Sequence, residues 1–198
     1  MLEFRNMVNR CRWAGNDPLM IRYHDREWGV PVHNDKKLFE FLVLEGAQAG
    51  LSWITILKKR PAYRKAFEKF DFNKVARYGE GKVRQLLNNK DIVRNELKIR
   101  SAIRNARAFI SVRDEFGTFN EYIWQFVDHM PIQNKWKRFT DIPAKTMLSD
   151  SISQDLKKRG FNFVGSTIVY AHIQATGMVN DHTTDCFRYN ELKKLQAD

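Results

Sequence analysis

Residues that bind soft divalent metals stand in two pairs at opposite ends of this chain. Cys11 and His24 lie near its start, His182 and Cys186 near its end, in the order Cys-x12-His … His-x3-Cys. The second pair is spaced so that, on a helical turn, both side chains project from one face and reach one ion. Two thiolates and two imidazoles form a closed tetrahedral set of the kind zinc prefers. An ion with four protein ligands has no open position for a water nucleophile, so such a zinc would be structural and would tie the chain ends together. The order matches no common short zinc-finger spacing. The other reading is two buried free cysteines beside unrelated histidines. A Cys11–Cys186 disulfide is arithmetically possible, but the N-terminus lacks the apolar core of a signal peptide, and an intracellular setting disfavours disulfides.

A second group surrounds a carboxylate. Glu45 follows the apolar run Phe41, Leu42, Val43 and Leu44, with Trp13, Tyr23, Trp28 and Trp53 nearby in the sequence. A glutamate in that setting either faces solvent on an amphipathic helix or is held in a pocket for its chemistry. The aromatic residues are either core or the walls of a cage for a flat ring.

A third group is a hairpin. Residues 156–165, LKKRGFNFVG, hold Lys157, Lys158 and Arg159 beside Gly160 and Gly165. Glycine permits positive φ and close backbone approach. Amides at the start of a following helix can hold an anion such as a phosphate, and phosphate contacts position nucleic acid without reading its sequence. A plain αα-turn with a solvated basic face has the same composition. His33, His129 and His172 have no partners at ligand spacing, and neither a P-loop nor a nucleophile motif is present.

The whole chain supports the nucleic-acid reading. It has 198 residues, with 34 Lys and Arg against 23 Asp and Glu, a formal charge of +11. A folded protein this basic usually meets a polyanion. With 43% hydrophobic residues it is globular rather than disordered. No apolar run approaches the ~18 residues of a membrane span, so the protein is expected in the cytoplasm. The length suits a single domain, 1–198, with residues 1–10 as a flexible N-terminal extension.

The elements that must position these groups are helices. With 5 Pro and 10 Gly there are few breakers. Apolar spacing and caps predict helices over 36–49, 53–59, 61–70, a short one after Asp71, 82–88, 96–115, 120–128, 150–158 and 166–176. Pro61 is expected in the first turn of its helix, and Ser166 or Thr167 as the cap of the last. Leu97 is expected on the inward stripe of the longest helix. Alternating β patterns are nearly absent, so the class is all-α.

Several stretches together resemble the 3-methyladenine DNA glycosylase I family of bacterial base-excision repair. They are CRW at 11–13 with DPL at 17–19, YHDREWGVP at 23–31, LEGAQAGLSWIT at 44–55, the hairpin 156–165, and VNDH at 179–182 with Cys186. The resemblance implies a helix-hairpin-helix glycosylase that excises 3-methyladenine from alkylated double-stranded DNA as a monomer. It places one structural zinc on Cys11, His24, His182 and Cys186, the base-recognition carboxylate on Glu45, and pocket aromatics on Tyr23 and Trp53, with Trp13 and Trp28 close by; Glu45 is read in addition as the catalytic group, stabilising the cationic sugar. It puts the loop that fills the gap left by the flipped base at Gly50 and Leu51; the hairpin's own composition adds DNA-backbone contacts at Lys158, Gly160 and Gly165. The superfamily's catalytic aspartate is absent from this family, and no Asp lies between Gly165 and Asn180 here. Met20 stands where the family carries an aromatic, and Ala47 where it carries a polar residue. The alternative is a DNA-binding protein on this scaffold that releases no base; a zinc hydrolase is the reading if one ligand is uncoordinated.

Overall fold

The computed structural model describes residues 8–194. Among them are ten α-helices: α1 (Pro18–Arg26), α2 (Asp35–Gln48), α3 (Trp53–Ala66), α4 (Phe72–Val75), α5 (Glu80–Leu87), α6 (Glu96–Phe116), α7 (Phe119–Trp124), α8 (Met147–Lys158), α9 (Ser166–Ala175) and α10 (Phe187–Lys194). The all-α class is observed, with one small addition. Strands β1 (Ile132–Gln133) and β2 (Val179–Asn180) pair in parallel. No helix among the described residues is long and apolar enough to cross a membrane.

The fold is organised around α2. Every residue of this helix from Leu38 to Ala47 is buried, because α3, α6, α7 and α9 pack around it. A helix enclosed in this way is expected to be apolar on all sides, and α2 departs from that at Glu40 and Glu45. Its start is secured by Asn34, whose side chain accepts from the Lys37 amide. Gly46 lets the α8–α9 hairpin come close: a Cβ there would lie 3.4 Å from the Cβ of Phe163.

Several local expectations are corrected. Helix α3 runs unbroken through Pro61, where two helices were expected. Arg60 and Tyr63 on that helix are buried, and Arg60 is bonded to Glu40 of α2, so tertiary contacts offset the lost backbone bond of an interior proline, a cost of about 3 kcal/mol. Helix α8 starts at Met147, three residues before the expected Asp150, because Thr146 and Ser149 form a reciprocal capping box. Gly165, rather than Ser166 or Thr167, caps α9. The expected helix 120–128 is α7 plus a tight turn at Gln125–Val127. Leu97 is 70% exposed: the inward stripe of α6 runs Ile99, Ala102, Ile103, Ala106 and Phe109, and a residue two before Ile99 points the other way.

The chain ends meet. Asn9 bonds to Asp185, and Arg10 holds Asp25 through two nitrogens at 2.9 Å. Residues 1–7 of the expected N-terminal extension lie outside the described residues. Gly177 allows the crossing of the two ends, because a Cβ there would fall 2.5 Å from the backbone of Val30 and Pro31.

Candidate active site and metal centre

The four expected metal ligands converge. Cys11, His24, His182 and Cys186 are all buried, and their ligand atoms lie within 4.8 Å of one another. Cys11 Sγ is 3.4 Å from His182 Nδ1, and Cys186 Sγ is 3.4 Å from His24 Nε2 and 3.5 Å from His182 Nδ1. A tetrahedral site with bonds of ~2.0–2.3 Å has edges of roughly 3.3–3.8 Å, so these separations fit one small cation. The cysteines are free rather than paired as a disulfide. Two thiols this close share a proton: the hydrogen bond between them lowers the pKa of Cys186 and raises that of Cys11. A divalent cation replaces that proton and accepts both sulfurs as thiolates.

The imidazoles are held from behind, as metal-binding histidines usually are. His24 Nδ1 contacts Asp25 at 2.7 Å, and Asp25 is gripped by Arg10, which lowers its pKa against the cost of burial. His182 Nε2 donates to the carbonyl of Trp28 at 3.1 Å. Each ring therefore turns its other nitrogen toward the sulfurs.

Beside this cluster opens a cleft of about 550 Å³ lined by Trp13, Tyr23, Trp28, Glu45 and Trp53. All five were expected there. Trp13 packs edge-on to Trp28, with centroids 4.9 Å apart, and Tyr23 lies 5.3 Å from Trp53. The indole nitrogens of Trp13 and Trp53 are buried with no hydrogen-bond partner among the described residues. The cleft suits a flat aromatic ligand.

The two buried glutamates of α2 differ in one respect. Glu40 is buried and bonded to Arg60 at 2.7 Å and Arg64 at 2.9 Å, which hold its pKa below the usual range despite burial. Glu45, 4% exposed, has no ion pair or hydrogen bond for its carboxyl among the described residues. Burial drives its pKa up to about 8, with Arg60 opposing weakly from a distance. Glu45 also lines a small cavity with His172, whose buried ring nitrogens have no partner among the described residues and whose pKa burial lowers to about 4. Glu45 thus lacks a cation, and the cleft is where one can reach it.

Past the end of α2, Gly50 adopts φ +76° and turns the chain so that Leu51 stands 41% exposed. The ammonium of Lys98 on α6 donates to the carbonyls of Ala47 and Ala49 and braces this turn. Ala47 itself is buried in the core and presents no side chain outward, whereas Met20 lines the cleft. In the hairpin, Gly160 has φ +88° and ends α8; Gly165 has an ordinary φ of −62°, and it is Phe163 that adopts the positive value expected there. Space is open around Gly165. Lys157 and Lys158 are exposed, while Arg159 is committed to Glu115 and Asp155.

The profile of the methyladenine glycosylase family matches residues 13–189. The chain belongs to that family. It is 48% identical over 182 residues to DNA-3-methyladenine glycosylase 1 of Escherichia coli, covering 92% of this chain and 97% of the relative. The DNA-3-methyladenine glycosylase of Haemophilus influenzae is 43% identical over 180 residues, with 91% and 97% covered. Among solved structures, a crystal structure of 3-methyladenine DNA glycosylase I aligns with TM-score 0.88 at 49% identity, covering 90% of this chain and 98% of that one. The 3-methyladenine DNA glycosylase I of Staphylococcus aureus, studied for its recognition of 3-methyladenine, aligns with TM-score 0.88 at 33% identity over 91% of this chain and 96% of that one. Within this methyladenine glycosylase, sequence spacing did not point to three features. They are the Glu40–Arg60 pair beneath the cleft, the Lys98 brace, and the wall formed by Tyr170 and Gln174; each depends on helices far apart in the chain.

Proposed function

We propose that the protein is a DNA-3-methyladenine glycosylase. It turns an N3-methylated adenine out of alkylated duplex DNA and hydrolyses the N-glycosidic bond, leaving an abasic site. The observation that carries this reading is the unpaired Glu45 at the floor of an aromatic cleft in a basic, helical chain.

A base in the stack cannot be cut in place, so it is flipped at a cost of a few kcal/mol. Leu51, exposed beside the cleft, is the wedge that replaces part of the lost stacking, and Gly50 gives it its turn. N3-methylation makes the adenine a cation. Tyr23, Trp53, Trp13 and Trp28 then offer stacking and cation–π attraction. Glu45 accepts from the exocyclic amine edge, and the base's charge draws it from its protonated to its ionised form. Neutral adenine brings no charge and leaves the carboxyl protonated, so it is held less well.

Tight binding of the ground state does not by itself speed cleavage. The methylated base, however, leaves as a neutral molecule and needs no proton, which suits the missing aspartate after the hairpin. The ionised Glu45 adds electrostatic stabilisation of the cationic sugar that forms, and water completes the hydrolysis. Among the described residues no lysine lines the cleft, so the reading includes no Schiff base and no strand cleavage. Lys158, with the backbone at Gly160 and Gly165, holds phosphates through charge and free amides.

Cys11, His24, His182 and Cys186 hold one zinc ion, which supplies a cross-link between the chain ends and no step of the reaction. The closed, buried set of two sulfurs and two nitrogens supports that metal and that role, and favours it over a hydrolytic zinc. The protein acts as a single-domain monomer in the cytoplasm of a bacterium.

The test is incubation with methylated duplex DNA. Abasic sites and free 3-methyladenine are expected, with no covalent trapping by borohydride. DNA binding without release of any base would leave a binding module on this scaffold.

A further inference from the structure

Asp181 is fully buried beside the metal ligand His182, and it does not face the cleft. Its carboxyl accepts four hydrogen bonds. Tyr170 Oη donates at 2.5 Å and Gln174 Nε2 at 2.7 Å, both to Oδ2; Asn134 Nδ2 donates at 2.6 Å and Trp136 Nε1 at 2.7 Å, both to Oδ1. A carboxyl group has about four lone-pair sites, and these donors fill them.

The donors come from two places with separate tasks. Tyr170 and Gln174, on α9, form a wall of the base cleft. Asn134 and Trp136 open an irregular stretch, 134–144, whose later residues, including Phe139 and Ile142, form the cleft's rim. That stretch carries Lys135, Lys137 and Arg138 and is joined to the metal-bearing turn again by the Thr184 amide, which donates to the Trp136 carbonyl at 2.9 Å. Its own bonds are confined to one short 3-10 turn, Phe139–Asp141, closed by the Arg138–Asp141 pair, so its place against the rest of the fold is set by the contacts of Asn134 and Trp136.

We propose that Asp181 is a positioning residue that fixes the Tyr170–Gln174 wall and the basic 134–144 rim against each other. The substrate-class reading rests on the proposed glycosylase function, but the anchoring does not. Buried networks of this kind specify one arrangement when every member is satisfied. With Asp181 in place, the rim closes the cleft at a set width and holds Lys135 and Lys137 toward the bound strand, Arg138 being committed to Asp141.

Two variants test it: Asp181→Asn, which turns an acceptor into a donor facing two donors, and Trp136→Phe, which keeps the ring and removes one N–H. Hydrogen exchange reads the anchoring without any activity. Amides of 134–144 are expected to exchange about ten times faster in both variants, while those of α6 are unchanged. If Asp181→Asn does not fold, Trp136→Phe decides. Unchanged exchange in the folded variants overturns the proposal whether or not the protein excises bases. In base release, Trp136→Phe is expected to raise KM for methylated duplex several-fold with kcat and bound metal retained. A fall in kcat with unchanged KM, or loss of metal, would instead make Asp181 an adjunct of the metal site.

Discussion

The ring of Trp28 lies edge-on to that of His182, centroids 4.6 Å apart, and the carbonyl of Trp28 accepts the hydrogen bond from His182 Nε2. One residue therefore belongs to the wall of the base cleft and to the shell of the metal centre. Gly29, next in the chain, has φ +78°, and a Cβ there would also lie 3.1 Å from that imidazole, so glycine suits the position on both counts. The Cys11–His24–His182–Cys186 cluster is thus contiguous with the cleft proposed to bind the base.

Loss of the metal is accordingly expected to weaken base binding as well as stability. Cys186→Ser should carry less than one zinc per chain by elemental analysis, and its Tm should fall by on the order of 10 °C. Its affinity for free 3-methyladenine, read by tryptophan fluorescence, should fall too. A wild type that is fully stable without metal would remove the structural role.

Glu45 makes a prediction about stability whose sign is set by burial. Its folded pKa, about 8, is above the ordinary carboxyl value of 4.5. The folded chain then holds a proton that the unfolded chain has released, so stability is lost as pH rises from 4.5 toward 8, by up to about 1.4 kcal/mol per pH unit. Glu45→Gln, which removes the charge and keeps the shape, should match the wild type near pH 4.5 and exceed its Tm at pH 8.5. Equal Tm values across that range would show that the carboxyl is not held in a desolvated site.

Leu51 is exposed and braces nothing, so its truncation isolates its part in flipping. Leu51→Ala should change stability by less than about 0.5 kcal/mol. Its excision rate on duplex should fall about tenfold, and less on a lesion placed opposite a gap, where little stacking is lost. Equal losses on both substrates would count against a wedge.

Lys158 is expected to contribute charge and no sequence preference. Lys158→Ala should weaken binding to any duplex and reduce the slope of log affinity against log salt by about one. An unchanged slope would mean that the hairpin's cations do not reach the backbone.

Much of this arrangement was legible in the sequence because short spacings impose it. The cap at Asn34 and the glycines around α2 and the hairpin act over a few residues; His182 and Cys186 do share a site, but from a non-helical turn ahead of α10 rather than from one face of a helix. The burial of Glu45 was not decided by its neighbours: Glu40 shares the same helix and the same burial, and only the arrival of Arg60 and Arg64 from α3 separates a paired carboxylate from an unpaired one. Pro61 misled for the same reason, since its helix is stabilised by contacts made elsewhere. Helix α1 was missed although its start is written locally, in the Asp17 side chain that accepts from the Leu19 and Met20 amides and in Pro18 at the first helical position.

Glu45's choice of base is read most directly by separating the bases released from methylated duplex DNA. In that DNA 3-methyladenine and 7-methylguanine both carry positive charge. Adenine presents an amine to the Glu45 carboxylate where guanine presents a carbonyl, so charge and edge are separated. The wild type should release 3-methyladenine far above the spontaneous rate and 7-methylguanine at that rate, and Glu45→Gln should lose about 10²-fold of the first without gaining the second. Release of 3-methyladenine by Glu45→Gln at the wild-type rate would contradict the role of Glu45 as the carboxylate that selects the base.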